Sequence, residues 1–234
     1  MNEMARGSDP VTKVLLTCGA ILAPMFYIVV LIQMAARPGF DITRHAISGL
    51  SNGDFGWVQI TNFIVTGTLA LVLAVGVFRA LRGGKAGTWA PILIGTYGAG
   101  IILAGLFPPD PAMGFPVGAP EGMSATMSAS ATLHSVGFFT AFSSLVAAGF
   151  VFGRRFIALG QRGWGTYSIA TGVAAPIVIT LGTTVLISSA GVCFFIAGVV
   201  SFGWLSAVAA RLLAERRTQT FTYAPIGEDS VVQH

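Results

Sequence analysis

The sequence predicts an all-α polytopic membrane protein, an antiparallel bundle of six transmembrane helices with both termini in the cytoplasm. Hydrophobic residues make up 54% of the 234 residues and charged residues only 9%, whereas a soluble domain carries about 25% charged residues. Six apolar stretches are each long enough to supply the roughly 20 residues that a membrane-spanning helix needs. The basic residues between these stretches follow the alternation expected for loops on two sides of a membrane.

The basic residues set the predicted orientation. Eleven of the thirteen lie in alternate polar segments: Arg6, Lys13, Arg79, Arg82, Lys85, Arg154, Arg155, Arg162, Arg211, Arg216 and Arg217. Loops rich in Lys and Arg stay in the cytoplasm, so the remaining segments, with only Arg37 and Arg44, are predicted to face outward from a plasma (inner) membrane. This sorting also accounts for the net charge of +4, and no nucleic-acid partner is expected.

The predicted spans cover residues 12–35, 57–80, 89–107, 131–152, 166–188 and 190–212. Residues 1–11 form a cytoplasmic N-terminus, and the polar segment 213–234 is predicted to be a disordered cytoplasmic tail. Short connections make consecutive helices antiparallel neighbours. Pro176 lies inside the fifth span, where the missing N–H is expected to kink the helix.

Small residues mark several helix faces. Gly149 and Gly153 form a GxxxG pair in the fourth span, and Gly191 and Gly198 lie seven residues apart in the sixth. Such residues let helix backbones approach closely. We expect these faces to pack within one chain; the alternative is that they bind a second copy or another subunit of a membrane complex.

The first outer segment carries a periodic polar pattern. Asp41, Arg44, His45 and Ser48 recur at i, i+3, i+4 and i+7, which places them on one face of a helix. The pattern predicts a short amphipathic helix at the membrane interface. The alternative is that Asp41 caps this helix, that Arg44 pairs with Asp41 or with a lipid phosphate, and that the other polar groups are solvated.

The second outer segment contains five of the eleven prolines, which stiffen it and hold Asp110 close to the third helix. His134 follows in the first turn of the fourth helix, just below the predicted membrane surface, and an ionisable residue at that depth is a functional candidate. The alternative is a histidine anchored to a loop carbonyl. Together with Asn62 at the start of the second helix, these residues are candidates for lining one cavity that opens outward.

Three of these pieces resemble the family catalogued as domain of unknown function 998. The matching pieces are Asp41-x-x-Arg-His-Ala-Ile-Ser-Gly-Leu50, Phe107-Pro-Pro-Asp110 and His134. The resemblance covers about residues 12–212. It implies six helices and an integral membrane protein, and it implies no reaction, substrate or cofactor.

A looser similarity links the chain to intramembrane zinc hydrolases of the alkaline ceramidase kind. Those proteins use three zinc histidines, whereas only His45 and His134 are available here. Because zinc accepts carboxylate oxygens, a metal-dependent lipid hydrolase or transferase would use His45, His134 and Asp110 as ligands. In that alternative Asp41 is the general base and Ser48 orients the substrate.

The favoured hypothesis is a non-catalytic protein that binds or senses a lipid or small amphiphile. Its candidate ligand-binding residues are Asp41, Arg44, His45, Asn62, Asp110 and His134. An accessory or scaffold subunit of a membrane complex is a further alternative. A coupled transporter is disfavoured, because the middles of the predicted helices lack the ionisable residues that such transporters use.

Overall fold

The computed structural model describes residues 9–123 and 125–222, with side chains as far as residue 216. This part of the chain is helical and contains no β-strand. Its helices are α1 (Pro10–Ala36), α2 (Gly56–Leu81), α3 (Trp89–Leu106), α4 (Ala129–Ala158), α5 (Arg162–Thr184) and α6 (Ala190–Thr222). Six helical spans are long and apolar enough to cross a membrane, which confirms the predicted all-α fold with six spans.

Several helices differ in extent from the apolar stretches that predicted them. α4 runs to Ala158 instead of residue 152, and α6 continues to Thr222, so the segment after residue 212 begins as helix. Hydropathy marks where a chain leaves the apolar layer, whereas backbone hydrogen bonds can continue a helix beyond it. The predicted tail from residue 223 onward and residues 1–8 lie outside the described part.

The six helices form a closed ring. Each packs against its neighbours in the sequence, and α6 also packs along α1. The segments 37–55, 107–123 and 125–128 therefore lie at one end, which we call the long-loop end. The start of α1 and the close of α6 lie at the opposite end, the terminal end.

Glycines allow the closest helix contacts within this ring. A Cβ atom added to Gly100 on α3 would lie 2.7 Å from the Gly137 carbonyl oxygen on α4. Gly149 and Gly153 face α5, where added Cβ atoms would come within 3.0 Å of Ser168 O and 2.5 Å of the Ile169 side chain. These faces pack inside the chain, as expected, and assembly with a second copy stays a prediction.

A serine from α6 joins the first and last helices. The Ala23 amide donates to Ser206 Oγ at 3.0 Å, and this hydroxyl donates to Gly19 O at 3.0 Å. In an uninterrupted helix the amide and the carbonyl would bond to each other. The insertion lies directly before Pro24, which has no N–H to donate, and it links α6 to α1 where the ring closes.

Candidate functional site

The two long loops are in contact, which the sequence alone could not show. His45 Nε2 lies 2.9 Å from Met113 O, and Arg44 Nη2 lies 3.2 Å from Glu121 Oε2. The ion pair is solvent-exposed and stabilises the contact only weakly. Arg44 thus pairs with the second loop, instead of with Asp41 as the sequence alternative suggested.

His45 is a fixed part of this loop contact. It is 6% exposed, and its Nδ1 accepts a hydrogen bond from the Asp41 amide at 2.9 Å. Its Nε2 is then the protonated nitrogen that donates to Met113 O. The rings of Phe40 and Phe115 lie 5.4 Å from the imidazole, centroid to centroid. Since both nitrogens are engaged, His45 has no free nitrogen with which to bind a ligand or metal ion.

The amphipathic helix predicted over residues 41–48 is wrong. A single turn, closed by a 2.8 Å bond from the His45 amide to Asp41 O, is followed by extended Ala46 and a short 3₁₀ helix, Ile47–Ser51. Asp41 Oδ1 instead accepts from the hydroxyl of Thr43 at 2.7 Å and from its amide at 2.9 Å. Such local side-chain bonds compete with helix formation, and they hold the pKa of Asp41 below its usual value.

Arg37 organises the first loop, a role that its place in the sequence did not indicate. Its guanidinium donates to Leu50 O at 3.1 Å and to Asn52 O at 2.5 Å. The same group lies 5.3 Å from the ring centroid of Phe115 in the second loop. Burial lowers the pKa of Arg37, while the charge of Asp54 opposes this shift. No periodicity marked this residue, because its partners are backbone carbonyls and a distant ring.

Asp110 fastens the second loop to α4. Its Oδ2 accepts from the Ser128 amide at 2.9 Å, and hydrogen bonds from the Ser128 side chain and backbone lower the pKa of Asp110. Ser128 is also the N-cap of α4, where its hydroxyl accepts from the Ala131 amide at 3.0 Å. Asp110 therefore serves the local structure at the start of α4.

Asn62 belongs to a buried amide cluster between α1 and α2. Its Nδ2 donates to Phe26 O at 3.1 Å and to Gln59 Oε1 at 3.4 Å. Gln59 Oε1 also accepts from Gln33 Nε2 at 2.7 Å. Because this polar side chain is committed to other buried groups, Asn62 contributes to helix packing in this structure.

His134 lies one turn inside α4 and closes the end of α3. It is 8% exposed, and its Nδ1 lies 2.8 Å from Ala104 O and 3.0 Å from Phe107 O. These carbonyls belong to the last turn and C-cap of α3, where helices leave acceptors unsatisfied. Phe107 supplies the carbonyl anchor that the sequence offered as the alternative for this histidine. Nε2 has no hydrogen-bond partner in the described part of the chain.

An apolar cavity of about 360 Å³ lies inside the ring toward the long-loop end. Its lining is rich in aromatic residues: Phe26, Tyr27, Phe63, Tyr97, Phe138, Phe139, Phe142, Phe194 and Phe202. Ser48 and His134 are the two candidate residues that line it, whereas Asp41, Arg44, His45, Asn62 and Asp110 do not. The polar contacts between the two long loops and the apolar cavity are therefore separate features, and both lie at the long-loop end.

The cavity lies beside the parts of α4 and α5 nearest the long-loop end, with Phe139 of α4 and Ile179 of α5 in its lining. Near the terminal end these helices pack closely, and a Cβ on Gly165 of α5 would lie 2.5 Å from the Ile157 side chain of α4. Nearer the long-loop end, Gly137 of α4 approaches α3, and Gly182 of α5 approaches α6. Two residues that line the cavity, Phe139 and Met123, are 64% and 79% exposed and mark its mouth.

Two tyrosine hydroxyls in the cavity lining lack partners. The hydroxyl groups of Tyr27 and Tyr97 are buried and have no hydrogen-bond partner within residues 9–123 and 125–222. Both rings pack against Phe202, with centroids 6.0 and 5.4 Å away. A buried polar group without a partner costs free energy. Neither tyrosine could be identified from the sequence, since a tyrosine in an apolar helix gives no signal of what its hydroxyl contacts.

The zinc ligands proposed from the sequence are not assembled. The described residues contain no group of three or more His, Cys, Asp or Glu side chains placed to hold a metal ion. His45 uses both ring nitrogens, Asp110 is bonded to Ser128, and His134 uses Nδ1. The metal-dependent hydrolase therefore lacks structural support in this part of the chain.

The chain matches a protein-family model over most of its length. A family model described as "Protein of unknown function (DUF998)" matches residues 20–211, a range that includes the cavity and both long loops. No curated protein and no solved structure matches the chain.

Proposed function

The chain belongs to the DUF998 family of proteins of unknown function, and we propose that it is a non-catalytic membrane protein that binds or senses a lipid or small amphiphile. The observation that carries this proposal is the apolar cavity between the helices. It lies within a bundle of membrane-spanning helices, and its mouth includes exposed Phe139 and Met123. An amphiphile already dissolved in the bilayer could enter there without crossing water.

The size of the cavity supports a small amphiphile. Ligand sites typically enclose about 300–1,000 Å³, and this cavity encloses about 360 Å³. An apolar cavity of about 150 Å³ holds one benzene molecule. Scaling from that case, the cavity accommodates roughly 14 carbon atoms, which corresponds to one medium-length acyl chain or a short isoprenoid.

The character of the lining favours an uncharged guest over an anionic one. The described lining contains no Asp, Glu, Lys or Arg side chain. The sequence hypothesis used Arg44 to hold an anionic head group, but Arg44 is already paired with Glu121. The proposal therefore places recognition in the cavity, with the two loops forming the structure above it.

The orientation of the cavity is part of the proposal. Basic residues such as Arg79, Arg155 and Arg216 lie at the terminal end, and the positive-inside rule favours a cytoplasmic location for that end. The mouth would then face the outer leaflet of the plasma membrane. Both test variants, Met123→Cys and Gly163→Cys, are made in a Cys18→Ser, Cys193→Ser background. In intact cells, a membrane-impermeant maleimide should label Met123→Cys and leave Gly163→Cys unlabelled. The reverse pattern would mean that the terminal end, and not the long-loop end, faces outward.

A pair of variants on α4 tests the cavity directly. Ser135 lines the cavity, and Thr132 is exposed one turn earlier. Within the described residues, each hydroxyl bonds only to the carbonyl four residues before it, at 2.9 Å, so neither substitution removes a tertiary hydrogen bond that the structure shows. Ser135→Phe should fill the cavity, and Thr132→Phe should add the same ring outside it.

The measurement is the amount of amphiphile that co-purifies per mole of protein, quantified by mass spectrometry after solvent extraction. We expect Ser135→Phe to lose the amphiphiles that the wild type and Thr132→Phe retain. Circular dichroism and size-exclusion chromatography verify that both variants fold. If Ser135→Phe retains the same amphiphiles in the same amounts, the cavity is not the binding site and the proposal fails.

A further inference from the structure

We infer that the bound amphiphile is neutral and carries a hydroxyl group, which donates a hydrogen bond to Nε2 of His134. This inference rests on the proposed function, because it names the chemistry that the same cavity recognises. It commits to one class of ligand, an uncharged long-chain alcohol or a lipid whose uncharged polar end has a free hydroxyl.

The hydrogen-bond partners of His134 determine which ring nitrogen accepts. Its Nδ1 lies 2.8 Å from Ala104 O and 3.0 Å from Phe107 O. Carbonyl oxygens only accept hydrogen bonds, so Nδ1 carries a proton and donates to them. In a neutral imidazole the other nitrogen, Nε2, is then an acceptor with a free lone pair.

The surroundings of His134 leave Nε2 available to a molecule in the cavity. The ring is almost fully buried and is among the residues that line the cavity. Phe63 packs against one side of it, with centroids 6.4 Å apart. Because the carbonyls of α3 fix the ring orientation, the acceptor is held in place before any ligand arrives.

The neighbouring polar groups in the lining do not satisfy this acceptor. Ser135 Oγ donates to Ala131 O in its own helix. The hydroxyls of Tyr27 and Tyr97 have no partner in the described part of the chain, so neither donates to His134. A ligand hydroxyl would supply the hydrogen-bond donor that Nε2 lacks.

Charge selects against the other ligand classes. A carboxylate would meet the lone pair of Nε2 and would be buried without a basic lining residue to pair with, which is strongly unfavourable. A pure hydrocarbon would fit the apolar lining but would leave Nε2 without a partner. A neutral hydroxyl satisfies the acceptor and adds no charge to the cavity.

His134→Asn is the informative substitution. The asparagine side-chain amide occupies the position of Nδ1 and can still donate to the α3 carbonyls, while the acceptor at the position of Nε2 is removed. The variant therefore separates the structural hydrogen bonds of His134 from its contact with the ligand. Ser135→Phe, which fills the same cavity, serves as the variant with no space for a ligand.

The experiment measures three probes of equal chain length: tetradecanol, tetradecane and tetradecanoate. The full-length protein is placed in nanodiscs of zwitterionic lipid, and the apparent Kd of each probe is taken from the rise in melting temperature with its concentration. Each probe is compared across variants, so differences in partitioning into the lipid cancel.

We expect His134→Asn to weaken tetradecanol binding by about fivefold to tenfold, the usual effect of losing one neutral hydrogen bond, and to leave tetradecane unchanged. If tetradecane and tetradecanol both bind and His134→Asn affects neither, the inference fails while the proposed function stands. If tetradecanoate is the probe that depends on His134, the ligand is an anion and the inference is overturned. If no probe binds more tightly to the wild type than to Ser135→Phe, the proposed function itself fails.

A second measurement keeps the inference testable should His134→Asn not fold. In wild-type protein labelled with ¹⁵N-histidine, the resonance of the unprotonated Nε2 of His134 should shift toward that of a hydrogen-bonded nitrogen when tetradecanol is added. It should stay in place when tetradecane is added. An unchanged resonance at saturating tetradecanol would overturn the inference.

Discussion

Replacing Gly137 with alanine tests how α3 and α4 position the candidate site. A Cβ at this position would lie 2.6 Å from the Ala104 amide nitrogen and 2.7 Å from Gly100 O. Both atoms belong to the backbone of α3, so no side-chain rotation can relieve the overlap. To reach the 3.4 Å at which ordinary contacts begin, the two helices must separate by roughly 0.8 Å.

Overpacking of this kind costs typically about 1–3 kcal/mol. Alanine also has a higher helix propensity than glycine, which offsets up to about 1 kcal/mol. We therefore expect the free energy of unfolding to fall by about 1–2 kcal/mol. The same separation stretches the hydrogen bond from His134 to Ala104 O, now 2.8 Å, so Gly137→Ala should also weaken tetradecanol binding.

The assay is reversible unfolding in mixed micelles of increasing denaturing-detergent fraction, followed by circular dichroism. Gly203→Ala on α6 is the matched control, because an added Cβ there meets nothing within 4 Å, and it should unfold like the wild type or resist slightly better. If Gly137→Ala and Gly203→Ala have equal stability, the close backbone contact between α3 and α4 does not constrain the fold and the reasoning is refuted.

Two further substitutions test single polar groups. The lowered pKa of Asp110 stabilises the folded chain at pH values above the unfolded-state pKa, near 3.8, and this contribution is lost as the pH falls through the lower folded-state pKa. Melting temperatures measured from pH 5 to pH 2 should therefore fall more steeply for the wild type than for Asp110→Asn. Equal slopes for the two proteins would contradict the role assigned to Asp110. Tyr97→Phe removes a buried hydroxyl without a partner in the described structure, so the ligand-free protein should lose no stability and could gain about 1 kcal/mol. A clear loss in the same detergent titration would reveal a partner for that hydroxyl.

The loop segment 41–48 shows why periodicity alone misled the site prediction. The spacing of Asp41, Arg44, His45 and Ser48 fits one helical face, but Asp41 bonds to Thr43 and His45 bonds to Met113, which is 68 residues away. A helix in this segment would have to give up those contacts. The choice between the two depended on the second loop, which the local pattern does not contain.

For His134, in contrast, the sequence identified a residue that does line the cavity. The sequence marked it, because an ionisable side chain one turn inside an apolar helix is unusual, and the structure places it in the cavity lining. Its hydrogen bonds to α3 and the free Nε2 could not be predicted, since they depend on how closely Gly100 and Gly137 let two helices approach. The aromatic residues around it were equally invisible, because phenylalanine facing lipid and phenylalanine facing a cavity look alike in a sequence.

The sequence by itself determined the membrane class, the six spans and the alternation of basic segments, because these properties depend on the length and charge of each segment separately. The tertiary structure alone decided that the ring closes between α1 and α6, that the two long loops meet, and that a cavity remains inside the ring toward the long-loop end. The physical reason is that each of these depends on contacts between distant parts of the chain. A hydrogen bond such as that of Ser206 or His45 is specified by a partner more than 60 residues away, and no local pattern carries that information.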